Sequence, residues 1–243
     1  YYPTTSAVVN WRDTLPRLIQ DEPTRVEVKR VTTLQAARYL EAHYHNINLY
    51  KIGILNFACP TEPGGQWKDG AQEQEEVVVR SSTLSTSLES HTASPFYQMH
   101  LAADRGGFYT DTMVYSPRIR IFRDDEGSFL TPLDVDVVSS AAVDAREVRR
   151  RSEYVPRNAV EYQIQIAMKE RMGRILALFE HRGLTHLVLG GFGTGLFENS
   201  AKIVAKIWKE LLCGPKARFK NSFCNVVLAS VDETVLEAFT HVF

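Results

Sequence analysis

The sequence predicts one α/β domain built on a largely parallel or mixed sheet. Strand-like apolar runs alternate with stretches of helical periodicity, the pattern that strands joined by helical crossovers produce. No internal repeat, low-complexity segment or linker divides them. The length of 243 residues sits at the upper end of what one such domain holds, and is enough to bury a sizeable core. The domain is read as spanning 1–243, with residues 1–25 as an N-terminal extension ahead of the first strand.

The elements follow in order. Val26 to Val31 alternates apolar and polar residues, as a half-buried strand does. Thr33 is placed to cap a helix from Leu34 to His45, with Leu34, Ala37, Tyr39 and Leu40 as its apolar positions. Ile52 to Phe57 is a short apolar run and reads as a central strand. It breaks into the Gly/Pro-rich loop Ala58 to Gly65, and helical spacing resumes from about Gln72 through Val79. The middle of the chain is less regular. Met113–Tyr115 and Ile119–Phe122 read as strands on either side of Ser116-Pro117, Asp124 to Gly127 as a turn, and Val135–Ser139 as a strand. A long amphipathic helix follows, marked by Val160, Ile164, Ala167, Met168, Ile175, Leu176 and Phe179. Then come a strand at His186–Gly190, a glycine loop, a helix over Ser200–Leu212, a strand at Val226–Val231 and a closing helix.

Composition excludes several classes. The hydrophobic share of 44% and charged share of 23% are those of an ordinary soluble protein. A net charge of −1 and a pI near 6.7 do not suit a general nucleic-acid binder, so direct nucleic-acid binding is not expected. No apolar run approaches the roughly 18 residues of a membrane helix, and Tyr1 to Thr5 lacks a signal-peptide pattern. Cys59, Cys213 and Cys224 form no CxxC pair and read as reduced thiols, which places the protein inside the cell, cytoplasmic or nuclear. Cys59 follows a strand, yet no His lies near it in sequence to make it a nucleophile. The seven histidines show no ligand spacing, and His43 and His45 would diverge on a helix; no metal site is expected. Arg146 to Arg151 is the densest basic run, read first as a solvated face and second as a track for phosphates.

Two loops sit where open α/β sheets place ligands, beyond the carboxyl ends of strands. One carries Pro63-Gly64-Gly65. The other is Gly190 to Phe197, with four glycines in its first six residues, so that backbone N–H groups can converge on a diphosphate. A tight strand-to-helix turn explains the same glycines equally well. No Lys follows them as in a P-loop, and Leu196 stands where a dinucleotide fingerprint needs its third glycine. Glu75 and Glu76 sit in the first turn of a helix. Paired carboxylates suit glycosidic cleavage, in which an acid protonates the leaving oxygen and a base activates water. First-turn acids also serve simply to complement the helix dipole.

Context favours the chemical reading. Leu55-Asn56-Phe57-Ala58, then Pro63-Gly64-Gly65-Gln66, then seven residues to Gln74-Glu75-Glu76, resembles the glycine–QEE signature of microbial-type poly(ADP-ribose) glycohydrolases. Tyr115-Ser116-Pro117, Phe122-Arg123-Asp124-Asp125 and the Gly190–Phe197 loop with Asn199 resemble the same family, in its order. The resemblance implies a macrodomain-like three-layer α/β/α sandwich with a mixed central sheet. It also implies hydrolysis of the ribose glycosidic bond of poly(ADP-ribose) to release ADP-ribose, without a cofactor. By motif position, Glu76 would be the acid/base, Glu75 and Asn56 would hold the ribose beside the scissile bond, and Gly64 and Gly65 would shape the catalytic loop. Gly191, Gly193, Thr194 and Gly195 would cradle the diphosphate, Phe197 would pack on the ligand near the ribose, and Gln66 and Asn199 would also belong to the ADP-ribose-binding set.

One departure stands out: Gln66 replaces the third glycine of the signature. If that position takes a positive φ, Gln costs on the order of 1 kcal/mol in strain, and its side chain reaches toward the distal-ribose pocket. Gln66 therefore leaves open a hydrolase for single ADP-ribose units on protein or nucleic acid. A non-catalytic ADP-ribose reader is the other alternative, disfavoured by the presence of both glutamates. The expected partner is ADP-ribose or poly(ADP-ribose) on modified proteins, acted on by a monomer.

Overall fold

A computed structural model of the chain describes residues 1–17, 22–44, 51–102 and 104–243. The elements are β1 (Arg25–Arg30), α1 (Thr33–His43), β2 (Ile52–Phe57), α2 (Gln74–Arg80), α3 (Leu84–Leu88), α4 (Ser94–Ala102), β3 (Met113–Arg123) and β4 (Phe129–Ser140). They continue with α5 (Ala145–Arg151), α6 (Arg157–His181), β5 (His186–Gly190), α7 (Ala201–Leu212), β6 (Asn225–Ser230) and α8 (Glu233–Val242). The six strands form one sheet in the order β1-β6-β5-β2-β4-β3. Every neighbouring pair is parallel except β3 and β4, so the sheet is mixed with one antiparallel edge strand.

The layers follow from the alternation of side chains along buried strands. Ile54, Val137, Val188 and Val227 point to one face, where Leu34, Ala37 and Leu40 of α1, Val78 and Val79 of α2, and Phe96 of α4 meet them. Their neighbours Leu55, Val138, Leu187 and Leu228 point to the other, against Ile175 and Phe179 of α6, Trp208 of α7 and Phe239 of α8. A strand covered on both faces is apolar at most positions, which is why β2, β5 and β6 read as apolar runs. The result is the three-layer α/β/α sandwich.

Boundaries differ from the sequence reading where a local contact decides them. Thr32, rather than Thr33, caps α1: its side chain accepts from the Gln35 N–H at 3.1 Å, and Gln35 returns the bond to the Thr32 N–H. Thr33 instead accepts from Gln74 Nε2 at 3.2 Å. His45 lies outside the described residues. The two strands expected around Ser116-Pro117 are one, β3, with a register shift between Ser116 and Ile119 and Arg118 at φ 53°. An edge strand tolerates a proline at such a bulge, so Pro117 ends nothing. Helices α3, α4 and α5 are additions that the irregular middle of the sequence did not signal.

The N-terminal residues pack on the domain. Tyr2 bridges to Met113 at the start of β3. Trp11 is buried, stacks on Phe219 at 5.7 Å and donates from its indole nitrogen to Glu170 at 3.3 Å. Its carbonyl accepts from Arg218, which also pairs with Glu180 at 2.9 Å. Trp11→Ala should therefore lower unfolding stability by about 3 kcal/mol, the cost of deleting a buried aromatic. Urea denaturation would measure it; a loss below about 1 kcal/mol would make the segment peripheral to the core.

Candidate active site

The site is built where β2 hands the chain to α2. Gln74, to which the sequence reading gave no role, clips the two together. Its side-chain carbonyl accepts from the Phe57 N–H at 2.9 Å, and its Nε2 donates to the Leu55 carbonyl at 2.8 Å. The amide thus takes the place of a neighbouring strand at the end of β2, satisfying backbone groups that the sheet leaves open. This anchors the first turn of α2 over the strand end and fixes the next two residues, Glu75 and Glu76.

Both glutamates are buried. Glu75 has both oxygens engaged: Oε1 accepts from Asn56 Nδ2 at 2.9 Å, and Oε2 from the Cys59 N–H at 2.6 Å. Asn56, fully buried on β2, is itself steadied by donating to Ser139 Oγ of β4 at 3.0 Å. Cys59 therefore serves the pair through its backbone amide. Glu76 Oε1 accepts from the Gln66 N–H at 3.2 Å, and its Oε2 is buried with no hydrogen-bond partner among the described residues. Gln66 sits at φ −93°, so the replacement of the third glycine carries no backbone strain. Gly65 is the position that requires glycine: its φ is 62°, and a Cβ there would stand 2.3 Å from Glu76 Oε1. Burial pushes the Glu75 carboxyl up to about 8, with the Glu76 charge adding to the rise and the bonds from Cys59 and Asn56 opposing it.

The glycine loop after β5 faces this pair. Gly193 adopts φ 73°, and a Cβ there would meet Ala142 at 2.4 Å, so the loop lies directly against the end of β4. Asn199 lies beneath the loop, donating from Nδ2 to the Gly193 carbonyl at 2.9 Å and to the Val143 carbonyl at 2.7 Å. Thr194 turns its hydroxyl back to the Gly191 carbonyl at 2.8 Å.

Between the two loops lies a cavity of about 450 Å³, lined by Gly65, Gln66, Glu75, Glu76, Gly193 and Phe197 among others. A second cavity of about 320 Å³ continues past Gly191 and Gly195, lined by Thr32, Leu34, Thr194, Val231, Asp232 and Val235 among others. Of the residues singled out from sequence, Glu75, Glu76, Gly65, Gln66, Gly191, Gly193, Gly195 and Phe197 meet in the first cavity, and Thr194 lines the second. Asn56, Gly64 and Asn199 stand behind the walls. Tyr109, Asp144 and Arg146 also line the first cavity. They come from stretches with no readable motif, apart from the basic run that begins at Arg146. Among the described residues, no group of three or more His, Cys, Asp or Glu side chains is placed to hold a metal, and no helix is long and apolar enough to cross a membrane.

Comparison with known proteins identifies the family. Residues 2–124 match the family described as microbial-type PARG, catalytic domain. The structure is similar to poly(ADP-ribose) glycohydrolase from Deinococcus radiodurans in complex with ADP-ribose, at 33% identity over 99% of this chain and 92% of that one, with a TM-score of 0.85. It is similar as well to the Thermomonospora curvata poly(ADP-ribose) glycohydrolase, at 33% identity over 100% of this chain and 84% of that one, with a TM-score of 0.86. The same enzyme bound to the inhibitor ADP-HPD matches at 32% identity, again over 100% and 84%, with a TM-score of 0.83. No curated protein sequence matches. With the catalytic-domain match over half its length and one-third identity along nearly all of it, this chain belongs to the microbial-type poly(ADP-ribose) glycohydrolase family.

Proposed function

We propose that this protein hydrolyses the ribose glycosidic bond of poly(ADP-ribose) and releases ADP-ribose. The observation that carries the reading is a buried carboxylate pair opening into a cavity that runs past a glycine loop into a second cavity. Its dimensions suit a ribose at the pair, a diphosphate on the backbone of Gly191, Gly193 and Gly195, and an adenosine in the second cavity. The topology supports that order. The parallel strands present their C-terminal ends along one edge as β1, β6, β5, β2, β4, with the second cavity at the β1–β6–β5 end and the carboxylates at β2.

Catalysis is assigned to Glu76; Glu75 lines the ribose end of the cavity, and Asn56, behind the wall, holds Glu75 in place. With Glu75 raised to about 8, the pair keeps a proton at neutral pH. Glu75 is tethered at both oxygens, so the oxygen free to meet the substrate is Glu76 Oε2. As the anomeric C–O bond breaks, its electron pair goes to the departing ribose oxygen, which takes the proton from Glu76. The resulting carboxylate and the diphosphate stabilise the oxocarbenium ion. Water adds to that carbon and returns a proton to Glu76, so one water is consumed, and ADP-ribose and a shortened polymer leave.

The acceptor is taken to be polymer on modified proteins. The described site is complete within one chain, which supports action as a monomer, and the free thiols of Cys59, Cys213 and Cys224 support an intracellular setting. The whole chain is read as one catalytic domain, supported by the packing of Trp11 into the core.

Glu76→Gln keeps size and hydrogen bonding and removes the proton. Release of ADP-ribose from labelled polymer should fall by roughly 100-fold or more, while the Kd for ADP-ribose measured by calorimetry changes no more than a few-fold. Retained turnover would move the acid elsewhere, and a wild-type protein that binds ADP-ribose but cleaves nothing would be a reader.

Glu75 yields a pH prediction. Between its ordinary 4.5 and its folded value of about 8, the folded state holds a proton that the unfolded chain has released, so wild-type stability falls as pH rises through that window. Glu75→Gln, neutral throughout, loses one bond at every pH because its amide NH2 faces a donor. Its Tm relative to wild type should nonetheless climb steadily from pH 4.5 to 8. A pH-independent difference would show that Glu75 is an ordinary carboxylate.

A further inference from the structure

The arginines of the basic run do not share one fate. Arg149 is paired with Glu161, Arg150 with Glu147, and Arg151 with Glu147 and Asp104. Arg146 instead lines the catalytic cavity, its one ion contact among the described residues a long one of 3.4 Å to Asp144 Oδ2. Among the described residues lining that cavity it is the one Lys or Arg, set among the carboxyls of Glu62, Glu73, Glu75, Glu76 and Asp144. Every other ionisable carboxyl or cationic side chain lining the pocket is acidic, so Arg146 is the cationic side chain it offers a polyanion.

The position of Arg146 along the sheet decides which phosphate it can meet. It follows β4, on the far side of the carboxylate pair from the second cavity. If the adenosine and diphosphate of the bound unit lie toward β5 and β6, the space beside Arg146 takes what is attached to the anomeric carbon. Tyr109 lines the same end, held at φ 53°, a conformation that side chains other than glycine adopt only when neighbours enforce it. The neighbours here are specific. Buried Arg171 donates to the Phe108 carbonyl at 2.8 Å and to Asp111 at 3.1 Å, and the Thr110 N–H donates to His100 Nε2 at 3.2 Å. The Gly107 carbonyl accepts from the Asp144 N–H at 2.8 Å, and the Phe197 carbonyl from the N–H groups of Ala145 at 2.9 Å and Arg146 at 3.3 Å. The Tyr109 ring lies 5.9 Å from that of Phe197. Tyr109, Arg146 and Phe197 are thus fixed relative to one another at the open side of the pair.

We propose that Tyr109 and Arg146 form the subsite for the departing unit of the polymer, with Arg146 pairing with its diphosphate and Tyr109 presenting a face to its adenosine. The inference rests on the glycohydrolase reading, since the departing oxygen of this polymer belongs to an adenosine ribose that carries both a base and a diphosphate. It makes these two residues determinants of specificity for polymer over other ADP-ribosyl conjugates, without a part in proton transfer.

The test compares two substrates with the same ADP-ribosyl half. One is poly(ADP-ribose); the other is ADP-ribose bearing 4-nitrophenol at the anomeric carbon, whose leaving group has neither base nor phosphate. Arg146→Ala should lower kcat/KM for polymer about tenfold more than for the nitrophenyl substrate, with Arg146→Lys recovering part of the loss. Tyr109→Leu should shift the ratio in the same direction. The Kd for free ADP-ribose, which does not reach the subsite, should move by no more than about twofold in Arg146→Ala. Equal losses on both substrates with a matching weakening of ADP-ribose would place Arg146 on the bound unit's own diphosphate and overturn the proposal, as would an unchanged polymer rate. Wild-type cleavage of neither substrate would instead defeat the glycohydrolase reading on which the inference rests.

Discussion

Two adjacent carboxyl groups held out of water at the start of a short helix are unfavourable unless nearly every oxygen finds a donor, and the architecture around β2 is arranged to supply those donors. The Cys59 N–H and the Asn56 amide satisfy Glu75, and the Gln66 N–H satisfies one oxygen of Glu76. The loop from Ala58 to Gln66 must therefore fold back over the helix, so Gly65 passes too close to Glu76 for any side chain. The oxygen left without a donor among the described residues, Glu76 Oε2, is the one we assign to proton transfer.

The rest of the molecule fixes this arrangement in space. Gln74 ties α2 to the end of β2, and Ser139 of β4 steadies Asn56, so the carboxylates are referenced to two central strands. The glycine loop leaves the neighbouring strand β5 and is braced from below by Asn199. Because the parallel strands end on one edge, the second cavity, the glycine loop and the carboxylates follow one another along that edge. Buried Arg171 on α6 then sets the wall beyond the pair by holding the segment around Tyr109.

Much of this was legible in the sequence because it is written in local pattern. The bounds of β2 and β5 match their apolar runs, and α7 begins one residue after Ser200, its cap. The carboxylates and the glycine loops stand out by type and spacing, but it is the family resemblance that favours their chemical over their structural reading. What was hidden depends on contacts between distant segments. Thr32 rather than Thr33 caps α1 because its hydroxyl faces Gln35. Pro117 interrupts nothing because β3 is an edge strand with a bulge. Tyr109, at positive φ, is flanked by Phe108 and Asp111, both bonded to Arg171 from a distant helix, and Arg146 differs from the arginines after it in what stands opposite. Gln66 looked costly as a replaced glycine, yet its φ of −93° shows that the turn is completed by Gly64 and Gly65 alone.

The central claim is the direction in which the substrate lies across this edge, ending at the free oxygen of Glu76. A crystal structure with ADP-ribose bound tests it most directly. The account predicts adenine in the cavity beside Val231 and Val235, the diphosphate on the backbone of Gly191 to Gly195, and the distal anomeric hydroxyl within hydrogen-bond distance of Glu76 Oε2. Adenine in the cavity of the carboxylates, or a distal ribose turned away from Glu76, would contradict it.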